Sequence, residues 1–529
     1  MSVQLSFHGA AGCVTGFCAR LTTDRATVLI DCGMFQGSKT LKALNYGTFP
    51  FDAGGVDAVL LTHAHIDHSG LLPKLMLAGF EGPIYATTVT RELCEVMLAD
   101  AGSIQESEVE HLNRRNQRRG RATVQPIYTA EDGRAVVRQF RKVSLNEPVT
   151  VAPGITATYW EAGHILGSTS IEVAVETADG PMRLLFSGDL GPGGRDYAPD
   201  PQGPAGVDHL VIESTYGDRE RVDLAPDERR KLLAEELNDA CRAGGPLLIP
   251  AFAVERSQEL LADILTLIED GQVPEANIFL DSPLAIEATE IFQRRGWNRS
   301  SQRNPFAEVH AGQRLKFLRS PGESDSLERL KGWHIIMAAS GMCDAGRVRK
   351  HLKRLLWRRE ATVLISGYQA VGTLGRLLVD GQRHVTIQGD DIRVAARIRV
   401  VDAYSGHADA AALVRWAKAR APVRGSVFLA HGETEGLNGL KSRLQDAGFT
   451  PGQLLIPTLD QSFRLTAAST EAGAPTPARI AAPSVGALDW HNARARLLTE
   501  LEEHLDSAAS DEERADLLRR LTRTLEKAV

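Results

Sequence analysis

The sequence predicts an α/β chain in which a strand-rich domain is interrupted by a second domain of alternating helices and strands and followed by a helical tail. Three observations carry this. Residues up to about 212, and again from about 395 to 466, read as short β-rich runs between Gly-rich turns. Between them, helical runs alternate with short apolar strands, the texture of a parallel sheet covered on both faces. A stretch rich in Ala, Pro, Thr and Gly then leads into two Leu-bearing amphipathic patterns.

The elements follow in order. Val3–Phe7 and Thr27–Ile30 are β-rich, punctuated by HGAAG and DCGMFQG. Val56–Thr62 is a buried strand that runs into HAHIDHSG and an apolar helix. Residues near 90 to 120 are polar and helical, and end in the basic cluster Arg114, Arg115, Arg118, Arg119 and Arg121. Strands return at Thr156–Trp160, Ser170–Val175, Arg183–Ser187 and His209–Glu213. PLLIP, NIFLD, WHIIMAA and TVLIS are the apolar strands of the interrupting domain. The expected divisions are 1–214 and 396–466 for the first domain, 215–395 for the insertion, 467–485 for a linker and 486–529 for the tail. The tail carries Leu497, Leu498, Leu501 and Leu505, then a capping box from Ser510 to Glu513 and Leu517, Leu518, Leu521 and Leu525. It reads equally as a hairpin packed on its own chain and as a homodimer contact, for which the inserted domain is the other candidate surface.

Composition excludes several classes. Of the 529 residues, 43% are hydrophobic and 24% charged, an ordinary globular balance that rules out a disordered or fibrous chain. The formal charge of −7 excludes a bulk polycation, so nucleic-acid contact has to come from a local basic face or from bound metal. Six Cys without a CxxC pair point to reduced thiols rather than a disulfide framework. The start lacks a signal-peptide pattern, and no run approaches 18 apolar residues. The expectation is a soluble, cytoplasmic protein with no membrane contact.

The strongest chemical signal is His63-Ala-His65-Ile-Asp67-His68, three His and one Asp on a loop between a strand and a helix. Imidazole nitrogens and carboxylate oxygens suit Zn²⁺, and Mn²⁺ accepts the same donors. Two ions need more ligands than this run supplies. His164 in EAGHILGS, Asp189 in FSGDLG and His431 in FLAHGE are the candidates, each in a Gly-flanked loop after a strand.

The order Asp31, HAHIDH, His164, Asp189 resembles the metallo-β-lactamase fold. That resemblance implies an αββα sandwich with two Zn²⁺ at one edge of the sheets. His63, His65 and His164 would hold one ion, Asp67, His68 and His431 the other, and Asp189 would bridge. Asp31 would support the ligand loop through hydrogen bonds. The second half resembles the β-CASP nucleases: Glu213-Ser-Thr-Tyr-Gly is similar to their first motif, Tyr404-Ser-Gly-His407-Ala-Asp to their second and Leu429-Ala-His431-Gly-Glu to their third. The resemblance covers about residues 1 to 466. The chain resembles bacterial and archaeal homologues of the endonuclease subunit of the eukaryotic pre-mRNA cleavage and polyadenylation factor. In that family a His in the third motif goes with RNA substrates.

The implied activity is hydrolysis of single-stranded RNA by an endonuclease, leaving a 5′-phosphate and a 3′-hydroxyl. Asp67, Glu213 and His407 are the catalytic candidates. His407 would protonate the leaving 3′-oxygen, with Glu213 as its carboxylate partner. For RNA binding, Ser340 and Gly341 follow a strand and precede a basic helix, where a helix N-terminus would receive a phosphate. Arg347, Lys350 and Arg354 lie on one face of that helix. The Arg114–Arg121 cluster reads equally as a solvated surface. A 5′-exoribonuclease of RNase J type is the first rival, although the short tail lacks that group's extra C-terminal domain. An inactive RNA-binding scaffold and a small-molecule hydrolase are the others. The scaffold is disfavoured because no ligand is missing, and the small-molecule hydrolase because the insertion would build a long cleft.

Overall fold

The computed structural model describes residues 3–178, 180–194, 199–220, 226–295, 314–367, 369, 372–401, 403–474, 477–481 and 485, and in the tail 497, 501, 504–505 and 507–526. Two sheets stack face to face, and both draw strands from the two ends of the chain. The first has eight strands in the order Thr470–Ala472, Ser462–Leu465, Val3–Gly9, Cys18–Thr22, Thr27–Ile30, Ala58–Leu60, Ile84–Ala86 and Phe140–Lys142. The second has seven, in the order Leu454–Leu455, Val427–Ala430, His209–Glu213, Gly180–Phe186, Thr169–Thr177, Ile155–Glu161 and Pro148–Ala152.

Residue pattern explains the stacking. In Ile155–Glu161, Ile155, Ala157 and Tyr159 are buried while Thr156, Thr158 and Trp160 are partly exposed, the period-2 signature of a strand with one face on a core. Phe7, Phe428 and Phe463 meet between the sheets with centroids 5.0–6.1 Å apart. Helices Leu72–Leu77 and Thr88–Arg118 cover the outer face of the first sheet, and Ala410–Lys418 and Thr434–Asp446 that of the second. The result is the expected αββα sandwich.

The insertion builds a third, all-parallel sheet in the order Leu315–Phe317, Ile278–Leu280, His334–Ala338, Pro246–Pro250, Thr362–Ile365 and Arg397–Val400. Pro246–Pro250, His334–Ala338 and Thr362–Ile365 are buried along their whole length, as strands covered on both faces must be. Helix Pro283–Arg295 sends Ala288, Ile291 and Phe292 into the outer core of the first domain. Glu92 binds Arg295 at 2.7 Å along the same seam.

Two boundaries differ from expectation. Arg397–Val400 pairs with Thr362–Ile365, so the insertion's sheet runs past 395. Its RIRV pattern is exposed at the last two residues because it is an edge strand, so in the sequence it reads as the return of the first domain's strand–turn pattern. Within the stretch read as a linker, Thr470–Ala472 pairs with Phe463–Leu465 and closes the edge of the first sheet. Beyond it, Arg479 returns to Asp460 at 2.9 Å and to the His8 carbonyl. In the tail, Asp511–Glu526 is a helix; Leu517 and Leu521 are half-buried and Leu518 is exposed. Leu498 and the side chain of Leu525 lie outside the described residues. Among the described residues no helix is long and apolar enough to cross a membrane.

Candidate metal centre

The HAHIDH run leaves strand Ala58–Leu60 and closes into the short helix Ile66–Ser69. Its backbone is held from two segments: Cys32 N–H, in the loop after Thr27–Ile30, donates to the His68 carbonyl at 2.8 Å, and Phe17 N–H, just before Cys18–Thr22, to the Asp67 carbonyl at 2.8 Å. Gly33 makes this approach possible, since a Cβ there would lie 1.7 Å from the Asp67 carbonyl oxygen. Asp31, at φ 60°, accepts from Thr62 N–H and Thr62 Oγ1 at 2.7 Å each and meets His68 Nδ1 at 2.7 Å. One buried carboxylate therefore orients the ligand loop and the ring of its last His.

All seven sequence-predicted ligands converge. His63, His65, His164 and Asp189 form one group of donor atoms and Asp67, His68 and His431 a second, each within 4.8 Å. Asp189 lies between them, with Oδ2 3.6 Å from His63 and 3.5 Å from His164, and Oδ1 3.3 Å from His68 and 3.5 Å from His431. Four of the five rings, all but that of His65, are turned by a neighbour on the other nitrogen, Asp31 serving His68. Thr62 Oγ1 lies 3.0 Å from His63 Nδ1, the Gly406 carbonyl 2.8 Å from His164 Nδ1 and Thr215 Oγ1 3.2 Å from His431 Nδ1. Thr62, Thr215 and Gly406, which orient these rings, are not among the sequence-predicted site residues. Their signal was adjacency, since Thr62 precedes His63 and the other two lie inside ESTYG and YSGH.

The donor set fits a divalent metal. His65 Nδ1 is 3.2 Å from His63 Nε2 and 3.1 Å from His164 Nε2, and His68 Nε2 is 3.3 Å from His431 Nε2. Nitrogens around a tetrahedral Zn²⁺ at about 2.0–2.1 Å lie about 3.3 Å apart, and these spacings match that separation. Asp189 Oδ1 is buried and accepts no hydrogen bond. Burial holds His63 and His164 well below the usual imidazole value and His65 at about 4, so these rings are neutral and can donate lone pairs. For His68, burial is outweighed by Asp189 and Asp31, which raise it well above that value. A cation among these carboxylates would displace its proton.

Beside this cluster, His407 Nδ1 lies 3.1 Å from Glu213 Oε2, and the ring is 4.5 Å from that of His164. Burial opposes its charging, but Glu213 and then Asp189 raise it to about 9. Glu213 is fixed at the end of its strand and accepts from Leu190 N–H at 2.7 Å. The loop bearing His407 is anchored in the insertion, where Tyr404 Oη donates to Asp263 at 2.7 Å and Asp263 meets Arg229 at 2.9 Å.

The predicted RNA-contact residues are placed differently. Arg347 is bound to Asp281 at 2.6 Å and to the Leu318 carbonyl at 2.9 Å, while Lys350 and Arg354 pair with Asp325 and Arg354 also with Glu328. Their charges are neutralised within the insertion. The helix begins at Val348, so Ser340 and Gly341 do not stand at its N-terminus. Gly341 instead packs on the Phe252 ring, and its carbonyl accepts from Gln369.

Comparisons with known proteins agree with this geometry. The metallo-beta-lactamase superfamily pattern matches residues 11–230, the Beta-Casp domain 257–378 and the Zn-dependent metallo-hydrolase RNA specificity domain 391–452. The chain is 35% identical to a ribonuclease of Thermus thermophilus over 82% of its own length and 94% of that protein. It is 30% identical to an RNase J-like protein of Methanocaldococcus jannaschii, covering 93% of it. It is 29% identical to the transcription termination factor FttA of Methanosarcina mazei, spanning 68% of that longer protein. Fold, donor cluster and relatives converge: the chain belongs to the β-CASP RNA nucleases of the metallo-β-lactamase superfamily, which are metal-dependent hydrolases.

Proposed function

We propose that this chain is an endoribonuclease that cuts single-stranded RNA to leave a 5′-phosphate and a 3′-hydroxyl. The observation that carries the reading is the Glu213–His407 pair set against a donor cluster shared through Asp189. His63, His65 and His164 would hold one Zn²⁺, and Asp67, His68 and His431 the other. Two ions there would neutralise phosphate charge and lower the pKa of water at neutral pH.

The chain's own residues do the rest. Asp31, Thr62, Thr215 and the Gly406 carbonyl keep the donor rings in place, so little reorganisation accompanies reaction. Glu213 keeps His407 protonated. As the water oxygen gives up a proton to bulk solvent and bonds to phosphorus, the P–O3′ bond breaks and His407 gives its own proton to the leaving 3′-oxygen. His407 and Asp67, with side chains 18% and 20% exposed, and the partly exposed His65 are the open members of the site, so the scissile phosphate would arrive on their side.

The test is a 5′-end-labelled single-stranded RNA incubated with zinc-loaded protein and resolved over time on a sequencing gel. Discrete internal fragments are expected. Immediate release of labelled mononucleotide would replace the endonuclease by a 5′-exonuclease with the same chemistry. An intact label at full zinc content would reject hydrolysis of this substrate.

A further inference from the structure

The arginine cluster at the end of the long helix Thr88–Arg118 has no place in the chemistry above. Arg114 pairs with Glu110. Arg115, Arg118, Arg119 and Arg121 are exposed, and among the described residues no carboxylate lies within ion-pair distance of them. Arg114 and Arg118, Arg115 and Arg118, and Arg115 and Arg119 are three or four residues apart, so like charges stack along the helix at a cost to its stability. The helix C-terminus favours cations in its last turn. That accounts for two of these charges, not for Arg121 beyond the helix nor for the stacking.

The charges are also held in a fixed display. Asn113 exchanges hydrogen bonds with Val124, donating at 2.9 Å and accepting at 2.8 Å, and Asn116 donates to the Ala122 carbonyl at 3.0 Å. The chain after the helix is thereby clamped back onto the side that bears Asn113 and Asn116. At about 100° per residue, Arg114, Arg115, Arg118 and Arg119 span an arc of about 140° on the opposite side. Glu108 falls in the same arc, and it binds Arg349 of the insertion at 2.8 Å. The arginine face is therefore the outward continuation of the face that meets the inserted domain.

The other end of the helix lies against the loop that carries His164. Its capping residue Thr87 donates to the Gly167 carbonyl at 2.9 Å, three residues from His164. From Thr88 to Arg115 is about 40 Å along the helix axis at about 1.5 Å per residue. We propose that this face is a second RNA-binding surface, which holds the phosphate backbone at the outer end of the interdomain seam, some 40 Å from the site of cleavage. It rests on the RNA-nuclease reading above. Such a surface adds affinity for long RNA and none for an oligonucleotide that fills only the cleft.

The experiment uses the full chain and the variant Arg115→Gln/Arg118→Gln/Arg119→Gln/Arg121→Gln. Binding of a phosphorothioate oligouridylate of about 25 nucleotides is measured across a salt series, beside hydrolysis of an ordinary hexanucleotide. For the long RNA, the slope of log K against log salt is expected to fall by up to about 3, at about 0.7 per lost contact, with affinity at least about tenfold weaker at 0.1 M salt. Hexanucleotide turnover and melting temperature should be unchanged or higher. Equal slopes for variant and parent would overturn the inference, as would an equal loss on the hexanucleotide. A parent chain that neither binds nor cuts either RNA would overturn the RNA reading itself, and this surface with it.

Discussion

His407 Nδ1 is occupied by Glu213, so in the proposed reaction Nε2 would carry the proton to the leaving oxygen. His407→Ala is therefore expected to lower turnover by about 10²–10⁴ while zinc content stays the same. An RNA with sulfur in place of the scissile 3′-oxygen needs no such proton, because a thiolate leaves unaided. On that substrate the variant should fall within about tenfold of the parent; a deficit of undiminished size would remove His407 from the acid role. Asp31 touches no predicted ion, yet it turns His68 and secures Thr62. Asp31→Ala should weaken metal binding by about 10- to 100-fold, read as zinc release to a competing chelator.

At the scale of the element, the seam between helices Thr88–Arg118 and Pro283–Arg295 carries Asp100, whose carboxyl is pushed up to about 6 by burial, then by Glu287, against the pull of Arg347. The folded state thus prefers the proton more than the unfolded chain does. Below about pH 4 both states hold it and no penalty exists; the penalty grows as pH rises to 6 and is constant above. Asp100→Asn should stabilise the protein by about 1–3 kcal/mol at pH 7.5, with a gain in melting temperature that shrinks toward pH 4. A constant gain across that range would show that the carboxyl is not raised in the folded state and that the gain has another source. The ligand loops are legible in the sequence because each is a short Gly-flanked run at the end of a strand. The fate of Arg347, Lys350 and Arg354 is not, because a dense run of cations is silent about Asp281, Asp325 and Glu328, which folding brings against it. Edge strands such as Arg397–Val400 are hidden for a related reason: with one face open, their pattern depends on a partner chosen by topology.

For the whole molecule, the chain's two ends are stitched together at one corner. Asp460 binds His8 at 3.0 Å and Arg479 at 2.9 Å, and although burial opposes it, these partners lower its carboxyl to about 2. A depressed carboxyl stabilises the fold above about pH 4 and loses that contribution as pH falls toward 2. Arg479→Ala should destabilise by about 1–3 kcal/mol near neutrality in urea titrations, and the gap from the parent should close on acidification. A gap that persists at low pH would mean that Arg479 acts through packing instead.

The two residues assigned to proton delivery stand at the two necks of the insertion, Glu213 just before it and His407 just after it. In machine terms this is an interlock. A swing of the inserted domain would pull His407 from Glu213 through Tyr404, against the Ala408 N–H bond to the sandwich's Leu190 carbonyl, while the donor cluster, save His164 through Gly406, stays seated on the sandwich. An open molecule would then be armed but unable to fire. Two glycines added after Val401 should accordingly slow hydrolysis far more than they reduce zinc content, and equal losses of both would refute the interlock.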